Sequence, residues 1–187
     1  GDLKGSDLAD ISGWSGTLYT RLDYTDVSLW KSWVDLPFQL ERGNGAVRLW
    51  LSLDGKKLKG LTADLKLNNV LARLRPDLPQ LDMAELGGRL NFADIAPGQL
   101  VQGSGFGFRL HDGTAFGPAS ASVKMLPVRG KKPAQGELKV NVLELAPLVE
   151  LSNYLPAGDE MRATLRQLQP KGSLRELTAS WDGSWPD

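Results

Sequence analysis

Apolar and polar residues alternate with a period of two through most of this chain. In "GAVRLWLSLDGKKLKGLTADLKL", residues 45–67, Val47, Leu49, Leu51 and Leu53 share one parity, while Arg48, Trp50, Ser52 and Asp54 take the other. After a turn rich in Gly and Lys, Leu61, Ala63, Leu65 and Leu67 resume the pattern against Thr62, Asp64, Lys66 and Asn68. Successive side chains of a strand point to opposite faces, so this period predicts a hairpin with one leucine-rich face and one polar face. The spacing recurs at Leu18, Thr20, Leu22 and Tyr24, and again at Phe106, Phe108 and Leu110. Asp112-Gly113 is a hairpin turn signal leading into Ala119, Ala121, Val123 and Met125. Leu138, Val140 and Val142 repeat it, as do Leu177, Ala179 and Trp181, and "LGGRLNFAD" (86–94) is a shorter candidate weakened by glycine. Roughly eight to ten strands joined mostly by short turns favour antiparallel pairing.

Three stretches leave this period. In "TDVSLWKSWVDLP", Thr25 or Asp26 caps a predicted helix with Val27, Trp30, Trp33 and Val34 on one stripe. In "LAPLVELSNYLP", Pro147 suits a first helical position, followed by Leu148, Leu151 and Leu155. In "GDEMRATLRQLQP", Asp159 and Glu160 suit a helix N-terminus, Met161, Leu165 and Leu168 form a stripe, and Pro170 stops it. The expected fold is therefore mainly β with short helices: an antiparallel, strongly curved sheet, an open groove or partly closed, covered by two or three short amphipathic helices. A faint internal repeat relates 16–37 to 136–156, each running glycine, alternating strand, short helix and Leu-Pro.

The eight alternating positions set an energy scale. Burying one Leu is worth about 1.5–3 kcal/mol, so the face represents on the order of 10–20 kcal/mol, comparable with the whole stability of a domain. It must be covered by helices, another sheet or a ligand. Val47, Leu49, Leu51, Leu53, Leu61, Ala63, Leu65 and Leu67 are accordingly the candidate groove or core face.

Composition narrows the function classes. Lys plus Arg equals Asp plus Glu at 22 each, which gives no net field to attract nucleic acid. The chain has no cysteine, so disulfides, thiolate metal sites and a cysteine nucleophile are excluded, and its single histidine argues against a His-rich metal site. No apolar run approaches the roughly 20 residues of a membrane-spanning helix, and no signal peptide is visible. The first residue is Gly rather than Met, so the chain is expected to be a piece of something longer. We expect residues 1–187 to form a single β-rich domain or a fragment of a longer repetitive β-groove protein. Sub-units 10–125 and 136–187 would be joined by the polar loop 126–136.

Candidate chemistry is sparse. Ser104, His111 and Asp112 invite a triad reading, but His111 and Asp112 are neighbours at a turn, and the nucleophile elbow's glycine two residues before Ser104 is missing. Gly103, Gly105 and Gly107 do not make a dinucleotide fingerprint, nor does Gly43-Asn44-Gly45 make a phosphate loop. Asp82 with Glu85, or Asp159 with Glu160, are carboxylate pairs of the kind chance supplies among 22 acidic residues. A non-catalytic protein without cofactor is expected. Trp50 lies on the polar parity of its strand, so either a second face is covered or Trp50 meets solvent, a ligand or a partner. Lys56, Lys57, Lys59, Arg129, Lys131 and Lys132 sit in turns and either point into solvent or touch anionic lipid headgroups.

The same residues carry a resemblance. "LPFQLERGNGAVRLWLSLDGKKLKGLTADLKLNNVLARLRPDLPQLDMAELGGRL" resembles a stretch of the YhdP branch of the AsmA-like (AsmA/TamB/YhdP) envelope proteins. There an alternating segment is followed by a Leu-rich stretch of the kind seen here from Pro76 to Met83. "LELAPLVELSNYLP" and "ATLRQLQPKGSLRELTASWDG" resemble later parts of the same region, so the likeness runs from about residue 10 to the end. The resemblance implies a periplasmic segment of an inner-membrane-anchored protein in a Gram-negative bacterium, with the anchor outside this chain. It also implies bridge-like phospholipid transport towards the outer membrane, outer-membrane biogenesis and envelope integrity, without catalysis. The expected partner is then phospholipid acyl chains lying on the leucine face. The alternative is a structural or interaction β-module that scaffolds other envelope proteins without lipid cargo.

Overall fold

The computed structural model describes residues 3–4, 15–32, 39–55, 57–130, 132–154 and 159–183. Trp33, Val34, Lys56, Lys131 and Leu155, together with the side chain of Met161, lie outside the described residues. Among the described residues nine strands follow one another: β1 (Leu3–Lys4), β2 (Ser15–Asp26), β3 (Gln39–Asp54), β4 (Lys57–Arg73), β5 (Leu81–Ile95), β6 (Gly98–Leu110), β7 (Ala115–Leu126), β8 (Gln135–Glu144) and β9 (Ser173–Asp182). They form one sheet in sequence order, each strand antiparallel to its neighbours.

The meander gives the sheet two unlike ends. At the helical end stand a 3-10 helix (Val27–Ser32), the links 74–80 and 111–114, and the helices α1 (Leu145–Leu151) and α2 (Asp159–Leu168). At the turn end are the connections 55–56, 96–97 and 127–134. The core sits towards the helical end. It comprises Val27, Val47, Leu67, Val70, Ala72, Leu81, Met83, Leu110 and Leu151, with Trp30, Leu40, Phe108, Phe116 and Tyr154 packed around it.

Local chemistry explains how the roof is placed. The Asp26 carboxylate accepts hydrogen bonds from the Ser28 backbone N–H (2.9 Å) and hydroxyl (2.7 Å), which starts the 3-10 turn and lowers Val27 onto the core. The Trp30 indole N–H donates to the Thr25 hydroxyl at 3.2 Å. α1 begins at Leu145, two residues before the expected start, with Pro147 inside the first turn, where its missing N–H has no helical partner to lose. Leu151 is buried, and the Ser152 hydroxyl returns a hydrogen bond to the Val149 carbonyl at 2.7 Å.

Two expectations need correction. The sheet is open and not strongly curled, with β1 and β9 at opposite edges. The helices are also not a general cover. The 3-10 helix and α1 reach the core at one end only, whereas α2 packs mainly on α1 and leaves Leu168 70% exposed. Among the described residues no second layer spans the sheet, so they form no continuous two-layer core for it to wrap around.

Candidate functional site

Register decides which side chains share a face. Cα partners across an antiparallel pair point the same way, so chains of partners can be followed from strand to strand. One such chain runs Leu18, Leu51, Leu61, Phe92, Val101, Val123, Leu138 and Ala179 from β2 to β9. Every member is apolar. The next row runs Thr20, Leu49, Ala63, Leu90, Gly103, Ala121, Val140 and Leu177. At a strand spacing of ~4.8 Å, eight strands carry these rows about 34 Å across the sheet.

The opposite face reads differently. Between the two apolar rows, pointing the other way, stand Tyr19, Trp50, Thr62, Asn91, Gln102, Ser122, Lys139 and Thr178. The Thr62 hydroxyl donates to Asn91 at 2.8 Å, and the Arg89 guanidinium clamps Asp64 with a second bond of 2.8 Å. Trp50 lies here, 38% exposed, with Tyr19 tilted against it at 5.1 Å between ring centroids and the Arg89 guanidinium 5.9 Å from its ring. Part of its surface therefore meets solvent, and no second layer covers it among the described residues.

The structure divides the candidate face into two parts. Val47, Ala63 and Leu67 are buried, and Leu49 and Leu65 pack against the core cluster. Leu51, Leu53 and Leu61 lie nearer the turn end, outside that cluster and half-buried. Beyond the hairpin the apolar rows stay open to solvent: Val101 is 37% exposed and Leu90 36%. Exposed apolar side chains arranged as continuous rows differ from the scattered ones any surface carries, because their area can be covered by a single object.

Residues that the hairpin pattern alone leaves out extend this face. Leu86, Phe108 and Phe116 are successive partners, with the two phenyl rings stacked at 5.5 Å. They line a trough of about 620 Å³ with Leu65, where Gly87, Gly88, Gly105, Gly107 and Gly117 contribute no side chain to fill it. Asn69 explains why Val70 and Ala72 join the core although Leu67 has the other parity. Its φ of 51° breaks the alternation, so the buried face resumes one residue out of phase.

The turn end of the face has its own boundary. One step beyond the row of Phe92 and Val101, on the same side, come Asp94, Gln99, Met125, Gly136 and Trp181, again successive partners. The Trp181 ring occupies the space beside Gly136, where any Cβ would collide with the indole. Lys59 is the extra residue of a bulge between the pairs Ser52–Gly60 and Leu53–Leu58, and its ammonium reaches Asp94 at 2.7 Å. Contact with Asp94 raises the Lys59 pKa, so the ammonium stays charged. The turn residues Arg129 and Lys132 pair backbone to backbone across their own turn, at 3.1 and 3.0 Å.

The triad residues are otherwise engaged. The Asp112 carboxylate accepts from the Thr114 backbone N–H at 2.8 Å, which keeps it below the usual carboxylate range. His111 approaches Asp82 at 3.5 Å, and Ser104 partners Arg89 in the middle of β6. Among the described residues, no group of three His, Cys, Asp or Glu side chains converges as a metal site would require. No described helix is long and apolar enough to cross a membrane.

The family model described as YhdP protein matches residues 2–186. No curated protein and no solved structure matches the chain.

Proposed function

This chain belongs to the YhdP family, and we propose that it is a non-catalytic segment of a periplasmic, inner-membrane-anchored protein that conducts phospholipid between the two membranes and so maintains the envelope. The observation that carries this reading is the pair of apolar rows crossing eight strands, half open to solvent and backed by a polar face. Acyl chains are the occupant that matches such rows. They are apolar and deformable, and each 100 Å² they cover contributes about 2.5 kcal/mol. Movement along the rows requires that no position be much better than its neighbours, and rows in which Thr20, at the β2 end, is the one polar side chain provide that uniformity.

The test separates the open rows from the core. Leu51 and Leu138 are half-buried members of one row, on β3 and β8, and replacing both by Glu leaves the buried cluster untouched. The gently purified chain should carry phospholipid detectable by mass spectrometry. The Leu51→Glu/Leu138→Glu variant, with an unchanged circular dichroism spectrum, should carry none. Equal lipid on both, or none on either, would overturn the proposal. A second reading, a scaffolding module for other envelope proteins, is favoured by the exposed Tyr19–Trp50–Arg89 cluster on the polar face. A lipid-free chain that unfolds sharply, and that loses a protein partner on Trp50→Ala, would support it.

A further inference from the structure

Polarity changes along the strands as well as between the faces. Towards the helical end the apolar face is closed by Val27 and Leu151 over Val47, Leu67 and Val70. In the middle it is open, and at the turn end Asp94 and Gln99 interrupt it on β5 and β6, in the row that continues through Met125 and Trp181. An amphiphile lying on such a surface has only one favourable direction, because reversing it would press a charged group against the closed apolar end. The boundary also carries both signs of charge in contact, Lys59 and Asp94, two residues of strand beyond Leu61 and Phe92.

Resting on the lipid-conducting reading above, we infer that a phospholipid takes one orientation on this face. Its acyl chains run towards the helical end and its head lies at the turn end, with the phosphodiester at Lys59 and a primary ammonium at Asp94. The ion pair is partly exposed, its side chains 41% and 31% accessible, and such a pair contributes little by itself. A zwitterionic head exchanges for it, charge for charge, and leaves neither member unpaired. The β4–β5 register, continued one residue past the pair Gly60–Ala93, sets Lys59 across from Asp94 on the apolar side, and the bulge lies in the pairing with β3 instead. Trp181, one step beyond Ala179 in the same boundary row, places an amphipathic ring at the level where head and chains meet.

The experiment incubates the full 187-residue chain with vesicles of equal parts phosphatidylethanolamine and phosphatidylglycerol, re-isolates it, and quantifies retained lipid by mass spectrometry. The unmodified chain should retain phosphatidylethanolamine in preference. Asp94→Asn should lower the ratio of phosphatidylethanolamine to phosphatidylglycerol about two- to fivefold while total lipid persists, the range expected for one exposed charge contact. Lys59→Gln should lower both lipids together by a similar factor, since both present a phosphodiester. Unchanged ratio and total in both variants overturn the inference while leaving the apolar rows as the lipid surface. No retained lipid on the unmodified chain overturns both readings. The Leu51→Glu/Leu138→Glu variant marks the lipid-free level.

Discussion

Asp64 and Arg89 face each other across β4 and β5 on the polar side of the sheet, and their contact is the tightest charge pairing on that face. The hydrogen bond from Arg89 holds the Asp64 carboxyl below its usual range; burial opposes the shift, and the charges of Arg89 and Arg48 add to it. A carboxyl with a depressed folded pKa contributes stability above its unfolded value of about 3.9, and loses it as pH falls through the folded value. Arg89→Gln should therefore return Asp64 towards the ordinary range in a carbon-detected NMR titration. It should also remove the part of the acid destabilisation that lies below pH ~4. At this scale sequence and structure agree where alternation is unbroken, as at Leu49 against Trp50. They part at Asn69, because Asn tolerates a positive φ without requiring it, and most asparagines in a strand-like stretch do not adopt one. Val70, Ala72, Leu81 and Met83 therefore entered the core unannounced. The bulge at Lys59 was hidden for a related reason, since it is a relation between two strands rather than a property of one.

The elements themselves were largely legible, because a half-buried strand writes its period directly into the residue order. β2 to β4 and β6 to β9 each contain the alternating stretch that predicted them, and β5 extends the glycine-weakened candidate at both ends. The helices were harder. An amphipathic stripe states that a helix has an apolar side, but not whether that side meets the sheet, another helix or solvent. Leu151 of α1 is 2% exposed, whereas Leu168 of α2 is 70% exposed. Leu151→Ala should accordingly cost about 2–5 kcal/mol in urea unfolding, and Leu168→Ala should stay within about 0.5 kcal/mol. A comparable loss at both positions would mean that α2 roofs the sheet after all. The faint repeat also takes on a physical meaning here: β2 with its 3-10 helix and β8 with α1 both run to the helical end and lower one apolar residue, Val27 or Leu151, onto the same core.

At the scale of the molecule, the rows that carry the proposed function were not legible, because they exist only once seven strand registers are fixed. A slip of one residue in any pair would turn that strand's apolar set to the other face and interrupt the rows. The uneven distribution of core residues leads to a further expectation. β4 contributes Leu67, Val70 and Ala72 to the core, while β9 lies at an edge with most of its residues exposed. Amide hydrogen exchange should be slowest in β4 and quicken outwards, fastest in β9; uniform protection across the sheet would contradict this placement of the core. The simple strand order has a kinetic consequence as well. Every strand finds its partner next to it in the chain, so each pairing closes only the loop between consecutive strands, and none awaits a segment made much later. A polypeptide of this design can assemble progressively from its leading end. Each completed hairpin then offers the next arrival a template, and the interval during which the leucine rows lack their register is kept short.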